Sequence, residues 1–220
     1  MTPVRHVVYL HGFASSPRSS KACWFERELT SRGVGYSCPD FNEPAFETLT
    51  VTRMLQQVTL AVAAASDGPI GLVGSSLGAF VALHAAQADR TSRIDRLVLL
   101  APAIDFGGNR LRQLGEHGID EWRRSGSLRL FHYGDNAPRD VGFGLYEDAA
   151  RYDAFAVPVT MPTLVVQGRQ DELVEAAMVE RWASTRPSVD LRLVDDGHQL
   201  TDSMPLIWRE SERLFGLRAG

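Results

Sequence analysis

Five consecutive residues, Gly74-Ser75-Ser76-Leu77-Gly78, have the types and spacing of a nucleophile elbow. In such an elbow a sharp turn between a strand and a helix presents a serine hydroxyl above a sheet. Glycines two residues before and after the serine remove side chains that would clash in so tight a turn. Ser76 has glycine at both positions and Ser75 does not, so the motif predicts Ser76 as a covalent nucleophile. A plain Gly-Ser turn between strand and helix is the non-catalytic alternative.

A serine hydroxyl is a poor nucleophile until a base removes its proton, and histidine is the usual base. In the elbow arrangement the chain order is serine, acid, histidine. His198 is the one histidine that follows the apolar segment Thr163–Gln167, and Gly197 before it allows the loop to fold back towards the serine. These features predict His198 as the base. The alternatives are a loop histidine without a catalytic role and, less favoured, His132, which precedes the best candidate acid.

The acid is expected in the turn that follows Thr163–Gln167, where Asp171 is the candidate. A carboxylate here would accept the proton on one imidazole nitrogen, fix the tautomer and stabilise the imidazolium as it forms. Glu172 is the adjacent alternative. Asp105 is a second alternative, because some enzymes of this architecture place the acid after the preceding strand. The non-catalytic interpretation of Asp171 is a helix cap.

A tetrahedral intermediate needs preorganised donors for its oxyanion. The backbone N–H of Leu77, the residue after the nucleophile, is the first candidate. The second is the backbone N–H of Phe13, in the loop after the first strand, where Gly12 permits a close approach of the backbone. His11 in the same loop is interpreted as an organiser of the loop rather than as a general base.

Short apolar segments rich in Val and Leu alternate with longer helical patterns, which is typical of a parallel sheet covered by helices. The candidate strands are His6–Leu10, Val34–Cys38, Ile70–Val73, Leu97–Leu100, Thr163–Gln167 and Leu191–Val194. The candidate helices are Ser20–Arg32, Glu47–Ala65, Leu77–Ala88, Val174–Ser184 and Pro205–Phe215. Leu77–Ala88 is apolar almost all round, so it is predicted to be a buried central helix.

The segment 103–157 breaks this alternation with many glycines and aromatic residues. A segment of this length inside an alternation of strands and helices favours an insertion above the sheet over a plain loop. We interpret it as a cap within a single domain that spans residues 1–220. Leu128–Tyr133 and Val141–Tyr146 are predicted to pair within it as a hairpin.

Composition excludes several classes of protein. Of the 220 residues 44% are hydrophobic and 23% are charged, which argues against wholesale disorder. The formal net charge of −4 argues against nucleic acid as the main partner. Two cysteines, Cys23 and Cys38, do not make a disulfide framework, although one bridge between them is an alternative to two thiols. No apolar run approaches the roughly 18 residues of a membrane span, and the N-terminus lacks a signal-peptide pattern, so we expect a cytoplasmic protein without a membrane partner.

The opening YLHGFASSPRSSKA and the elbow GLVGSSLGAF resemble the α/β-hydrolase superfamily, and within it the small bacterial YqiA/YcfP-like esterases. Four segments carry this resemblance, namely His11-Gly12, Gly74–Gly78, Gly168–Val174 and Gly197-His198. The resemblance implies a reduced α/β-hydrolase fold that begins at what is usually the third strand. We expect a mostly parallel sheet of about six strands, with helices on both faces and a cap insertion.

The same resemblance implies an esterase or thioesterase that needs no metal and no organic cofactor. The expected function is a serine hydrolase that cleaves a carboxylic ester or thioester of a small molecule. An amidase or peptidase with the same residues is one alternative, because fold and triad do not separate these activities. A non-catalytic descendant that binds a small ligand is the other. The sequence leaves open whether the chain is a monomer or a homodimer.

Overall fold

A computed structural model describes residues 2–107 and 114–217 of the chain. Its main sheet has six strands, and every pair of neighbours in it is parallel. In chain order these strands are β1 (His6–Leu10), β2 (Gly35–Ser37), β3 (Ile70–Ser75), β4 (Ile94–Leu100), β7 (Thr163–Gly168) and β8 (Val189–Val194). The order across the sheet is β2-β1-β3-β4-β7-β8, so β3 and its neighbours occupy the centre.

Five helices cover the two faces of the sheet, four of them between strands and the fifth after the last strand. They are α1 (Ser20–Thr30), α2 (Val51–Ala64), α3 (Leu77–Ala88), α6 (Ala176–Ser184) and α7 (Met204–Phe215). Successive strand residues point to opposite faces. Val7 and Tyr9 accordingly pack in a cluster with α1 and α7, whereas Val8 and Leu10 pack in a second cluster with α2, α3 and α6. The sheet therefore lies between two hydrophobic cores.

The described elements follow the sequence prediction closely. The predicted β1 and α3 have the observed bounds. The predicted helix Glu47–Ala65 is divided into a short 3₁₀ helix, Phe46–Thr48, and α2. The division has a local cause, because the Thr50 side chain accepts a hydrogen bond from the N–H of Arg53 (3.1 Å) and so caps a new helix. Cys23 and Cys38 are free thiols.

The segment 103–157 contains four further elements, and its residues 108–113 lie outside the described part of the chain. The elements are α4 (Gly115–Ser125), β5 (Ser127–His132), β6 (Ala137–Gly142) and α5 (Gly144–Ala149). β5 and β6 form an antiparallel hairpin in which Leu128 lies opposite Val141. The predicted second strand Val141–Tyr146 is wrong except for its first two residues, because β6 begins at Ala137 and the chain turns into α5 after Gly142. Leu145 and Ala149 of that helix, four residues apart, are both buried in the core.

No helix among the described residues has both the length and the apolar character needed to cross a membrane.

Candidate active site

The turn between β3 and α3 holds Ser76 in a strained conformation. Its φ is 54° and its ψ is −114°, in the region of backbone space that a residue with a side chain rarely adopts. A β-carbon at Gly74 would lie 2.5 Å from the α-carbon of Ala79, and one at Gly78 would overlap with the carbonyl oxygen of Leu10. Both glycines of the motif are therefore required by backbone contacts. Such strain persists at a functional site only where the surrounding structure holds it.

Strand β4 supplies the contacts that hold this turn. The N–H of Ser76 donates to the carbonyl oxygen of Leu100 (2.8 Å), and the carbonyl oxygen of Ser76 accepts from the N–H of Ala103 (3.2 Å). Both partners belong to the end of β4 or to the residues just after it. The serine is thus fixed at the carboxyl edge of the sheet, where ligands of open α/β sheets bind.

His198 and Asp171 lie beside Ser76 in a continuous chain of hydrogen bonds. The Oγ atom of Ser76 lies 3.1 Å from Nε2 of His198. The Nδ1 atom of the same ring lies 2.9 Å from Oδ2 of Asp171 and 3.1 Å from Oδ1. Because an ionised carboxylate only accepts, Nδ1 carries a proton and Nε2 is the atom free to accept one.

The environment of Asp171 favours its ionised form, although the side chain is fully buried. Burial alone would raise the pKa of this carboxyl, but hydrogen bonds from His198 and from the N–H groups of Val174 and Leu173 hold the pKa below its ordinary value. The Nε2 atom of Gln167 donates a further hydrogen bond to Oδ2 (3.0 Å). These donors orient the carboxylate towards the imidazole.

The alternatives to these residues lie elsewhere. Glu172 is exposed to solvent, and the carboxylate that contacts the His198 ring is that of Asp171. His132 is enclosed in the insertion, where its ring contacts the Asn42 side chain (3.0 Å) and the N–H of Asp135 (3.0 Å). Its position therefore differs from that expected of a base for Ser76.

The loop after β1 lies directly over the elbow. A β-carbon at Gly12 would meet the carbonyl oxygen of Ser75 at 3.3 Å, so glycine permits this close approach. Within the described residues, the backbone N–H groups of Phe13 and Leu77 donate to no protein atom. Two free donors beside a serine hydroxyl are what an oxyanion requires.

His11 is buried beneath this loop and makes two hydrogen bonds that fix its tautomer. Its Nδ1 lies 2.9 Å from the carbonyl oxygen of Gly12, which can only accept, and its Nε2 accepts from the N–H of Phe41 (3.0 Å). Both ring nitrogens therefore have partners, and Nε2 also lies 3.5 Å from Oδ1 of Asp40. His11 connects the loop to the segment at Phe41, as expected of a loop organiser.

A cavity of about 740 Å³ opens above Ser76 and His198. The hairpin β5–β6 supplies part of its wall, together with residues of the loop after β1 and of the loop after β7. Its larger apolar lining residues are Phe13, Leu130, Phe131, Tyr133 and Leu173. Arg18 and Lys21 also line it, and none of its lining residues in the described chain is Asp or Glu.

Two supporting residues were not identified from the sequence. Gln167 is completely buried in the apolar strand β7, and a buried amide signals a hydrogen-bond partner. Asp196 accepts hydrogen bonds from the N–H groups of Gly197, Asp202 and Ser203 and so stabilises the loop that carries His198. The sequence motif Asp195-Asp196-Gly197-His198 includes this residue without revealing its role.

The described residues contain no group of three or more His, Cys, Asp or Glu side chains placed to hold a metal ion.

Comparison of the sequence with protein families and curated proteins gives two findings. The profile of UPF0227, described as an uncharacterised protein family, matches residues 6–212. The palmitoyl-protein thioesterase ABHD10, mitochondrial, of Bos taurus is 25% identical over 202 residues, which is 86% of this chain and 66% of that protein. The matched region thus spans slightly under two thirds of the relative's length.

Comparison with solved structures identifies the fold. The structure of the mouse alpha/beta hydrolase domain-containing protein 10 has a TM-score of 0.79 at 23% identity and covers 97% of this chain and 91% of that chain. Est1E from Butyrivibrio proteoclasticus with bound ferulic acid also has a TM-score of 0.79, at 18% identity, and covers 97% of this chain and 90% of that chain. The architecture is a reduced α/β-hydrolase fold, as the sequence predicts.

Proposed function

The chain belongs to the uncharacterised protein family UPF0227, and on that premise we propose that it is a serine hydrolase of carboxylic esters or thioesters. The observation that carries this proposal is the chain of hydrogen bonds from Asp171 through His198 to Ser76, beside the free N–H groups of Phe13 and Leu77. The proposed nucleophile, base and orienting acid are Ser76, His198 and Asp171, respectively.

The first half of the proposed reaction acylates the enzyme. His198 Nε2 takes the Ser76 proton as Oγ attacks the acyl carbon, and Asp171 stabilises the resulting imidazolium. The N–H groups of Phe13 and Leu77 donate to the oxyanion of the tetrahedral intermediate, where they need no reorientation. His198 then returns its proton to the leaving oxygen or sulfur, and the acyl–leaving-group bond breaks.

The second half releases the acid. Water loses a proton to His198 as it attacks the acyl carbon of the Ser76 ester, through the same oxyanion donors. Collapse of the second intermediate returns the proton to Ser76 Oγ and frees a carboxylic acid. The balanced reaction consumes one water and requires only the chain's own residues.

The relatives support this type of reaction. The curated relative is a palmitoyl-protein thioesterase, and Est1E was solved with ferulic acid, a carboxylic acid. We propose further that the insertion 103–157 acts as a cap that shapes the substrate cavity. Its hairpin residues Leu130, Phe131 and Tyr133 line that cavity.

Hydrolysis of 4-nitrophenyl esters from acetate to palmitate tests the proposal. We expect the native protein to hydrolyse at least one ester of the series and Ser76→Ala to hydrolyse none, with circular dichroism verifying that both are folded. Ser75→Ala, the matched control, is expected to retain measurable turnover. Equal inactivity of native protein and Ser76→Ala on every ester would contradict esterase activity, and activity of Ser76→Ala would contradict the nucleophile.

A further inference from the structure

The cavity above Ser76 has a charge opposite to that of the protein. The whole chain has a net charge of −4, yet the charged residues of the cavity lining are Arg18 and Lys21, with no acidic residue among the described lining residues. Lys21 is the single lysine of the sequence. A cavity lined by one sign of charge concentrates ligands of the other sign.

Arg18 lines this cavity and also a neighbouring one that contains Asp40, Glu43 and Asp135. Arg18 is exposed, and within the described residues its side chain makes no hydrogen bond and no ion pair. Arg139, by contrast, is paired with both Asp135 and Glu47. An unpaired guanidinium retains all of its donors for an anionic group of a substrate.

The ammonium of Lys21 lies beside the loop that carries His198. Its Nζ donates to the carbonyl oxygen of Gln199 (2.7 Å) and lies 3.2 Å from the Oε1 atom of the same residue. Burial lowers the pKa of Lys21 to about 8, against the opposing effect of the carboxylates of Asp196 and Asp171. The side chain is therefore still mostly protonated at pH 7.

The position of Lys21 indicates that the positive charge lies on the leaving-group side of the substrate. In the proposed reaction His198 returns its proton to the leaving atom, so the leaving atom must lie within hydrogen-bond distance of Nε2 of His198. Lys21 donates a hydrogen bond to Gln199, the residue next to His198. Arg18 precedes Lys21 by three residues in the segment that leads into α1. The hairpin contributes Leu130, Phe131 and Tyr133 to the lining, all without charge, and its turn contacts the loop before Arg18, where the N–H of Gly134 donates to the carbonyl oxygen of Ala14 (3.2 Å).

We propose that Arg18 and Lys21 determine specificity for esters or thioesters whose leaving group carries an anion, a carboxylate or a phosphate. This inference rests on the proposed hydrolase function and adds a substrate class to it. The acyl group is then the uncharged part of the substrate and contacts the apolar lining.

Four butyrate or succinate esters with the same chromophore test this proposal. Three of them are butyrates, of 4-nitrophenol, of 3-carboxy-4-nitrophenol and of 3-phosphono-4-nitrophenol, so that the added anion is on the leaving group. The fourth is 4-nitrophenyl hemisuccinate, in which the carboxylate is on the acyl side. We expect kcat/KM at low ionic strength to be about tenfold or more higher for an anionic leaving group than for 4-nitrophenyl butyrate, since charge-assisted hydrogen bonds are the strong ones. Comparison of the carboxy and phosphono esters identifies the preferred anion.

Substitutions then connect this preference to the two residues. Arg18→Gln is expected to reduce the preference, measured as the ratio of kcat/KM for the anionic ester to that for 4-nitrophenyl butyrate, about tenfold. Lys21→Met is expected to reduce the preference for an anionic leaving group as well, and Lys21→Arg is expected to retain it. Arg90→Gln is the matched control, because Arg90 is exposed and lies beyond the far end of α3, about 18 Å along the helix from Ser76.

Any one of three results would overturn the proposal. The first is a kcat/KM for both esters with an anionic leaving group that is equal to or lower than that for 4-nitrophenyl butyrate. The second is a preference that Arg18→Gln leaves unchanged. The third is a preference for hemisuccinate, which would place the positive charge on the acyl side. Failure of the hydrolase function itself is distinguishable, because then none of the four esters would be hydrolysed in a manner that depends on Ser76.

Discussion

At the scale of single residues, the orientation of His198 depends on the carboxylate of Asp171. Asparagine at this position offers an amide N–H₂ as well as an oxygen, which permits the wrong tautomer of the ring. We therefore expect Asp171→Asn to lower kcat for an activated ester by a factor on the order of 10⁴. Steady-state hydrolysis of 4-nitrophenyl butyrate measures it.

Two other acidic residues serve as controls for this substitution. Glu172→Gln changes an exposed carboxylate one residue away, and Asp105→Asn changes the alternative acid after β4. Both are expected to leave kcat within a few-fold of the native value. A loss for Asp105→Asn comparable to that of Asp171→Asn would contradict the assignment of the acid.

The residues that sequence predicted best are those fixed by local rules. Ser76 could be predicted because a strained turn requires Gly74 and Gly78, and both requirements appear as backbone overlaps in the structure. That Asp171 and His198 lie beside Ser76 could be predicted from their order in the chain and their place after predicted strands. The role of Gln167 depends on a contact across the turn to Asp171, which no local rule encodes.

At the scale of elements, the contact between α3 and the end of β1 contributes to the position of Ser76, together with the contacts from β4. Gly78 allows this contact, because any β-carbon there would overlap with the Leu10 carbonyl. Gly78→Ala is therefore expected to lower the free energy of unfolding by about 1–3 kcal/mol or more. Ester turnover should fall with it, because the helix that follows Ser76 must shift.

Gly144→Ala provides the control for Gly78→Ala. Gly144 begins α5, and a β-carbon added there would meet no atom within 4 Å. The free energy of unfolding of the Gly144→Ala variant is expected to stay within about 1 kcal/mol of the native value, or to rise slightly, because alanine favours a helix. Urea denaturation of both variants gives the comparison, and equal stabilities would contradict the packing argument.

The hairpin β5–β6 gives a prediction about the acyl pocket. Phe131 lines the cavity and is 46% exposed, so a substrate can cover it. Removing this apolar surface with Phe131→Ala should lower kcat/KM for 4-nitrophenyl octanoate about tenfold and that for the acetate much less. Phe155→Ala is the control, because Phe155 has a similar exposure, 47%, but does not line the cavity. If Phe131→Ala lowered kcat/KM for the octanoate and for the acetate by the same factor, a role of Phe131 in acyl binding would be contradicted.

Sequence predicted the elements of the sheet better than those of the insertion, for a physical reason. β1 and α3 have unambiguous apolar patterns and occur with the predicted bounds. The second hairpin strand ends at Gly142, where a β-carbon would press on the carbonyl oxygen of Glu47. Gly142 therefore lies against a distant part of the chain, a contact that periodicity alone does not reveal.

At the scale of the whole molecule, Arg96 connects the two ends of the chain to the central strand β4. The guanidinium is buried and donates to the carbonyl oxygens of Phe215 (3.0 Å) and Thr2 (2.7 Å). Arg96→Met removes both charge-assisted hydrogen bonds and is expected to lower the free energy of unfolding by about 2–4 kcal/mol. Turnover by the folded variant should be unchanged, because Arg96 lies outside the cavity lining.

Arg90→Met is the control for Arg96→Met, since Arg90 is exposed and without a side-chain partner in the described residues. Its effect on the free energy of unfolding is expected to be within about 0.5 kcal/mol. Thermal and urea unfolding measure both variants. A loss of stability for Arg96→Met no larger than that for Arg90→Met would contradict the anchoring role of Arg96.

The central claim is that Ser76 is an activated nucleophile, and covalent labelling tests it most directly. A fluorophosphonate reacts with a serine that a neighbouring base activates, so its use requires no knowledge of the natural substrate. Intact-protein mass spectrometry and peptide mapping are expected to show one label per chain, on Ser76, in native protein and Ser75→Ala. The label should be absent from Ser76→Ala and greatly slowed in Asp171→Asn. A native protein that remains unlabelled, or a label that persists in Ser76→Ala, would contradict the account.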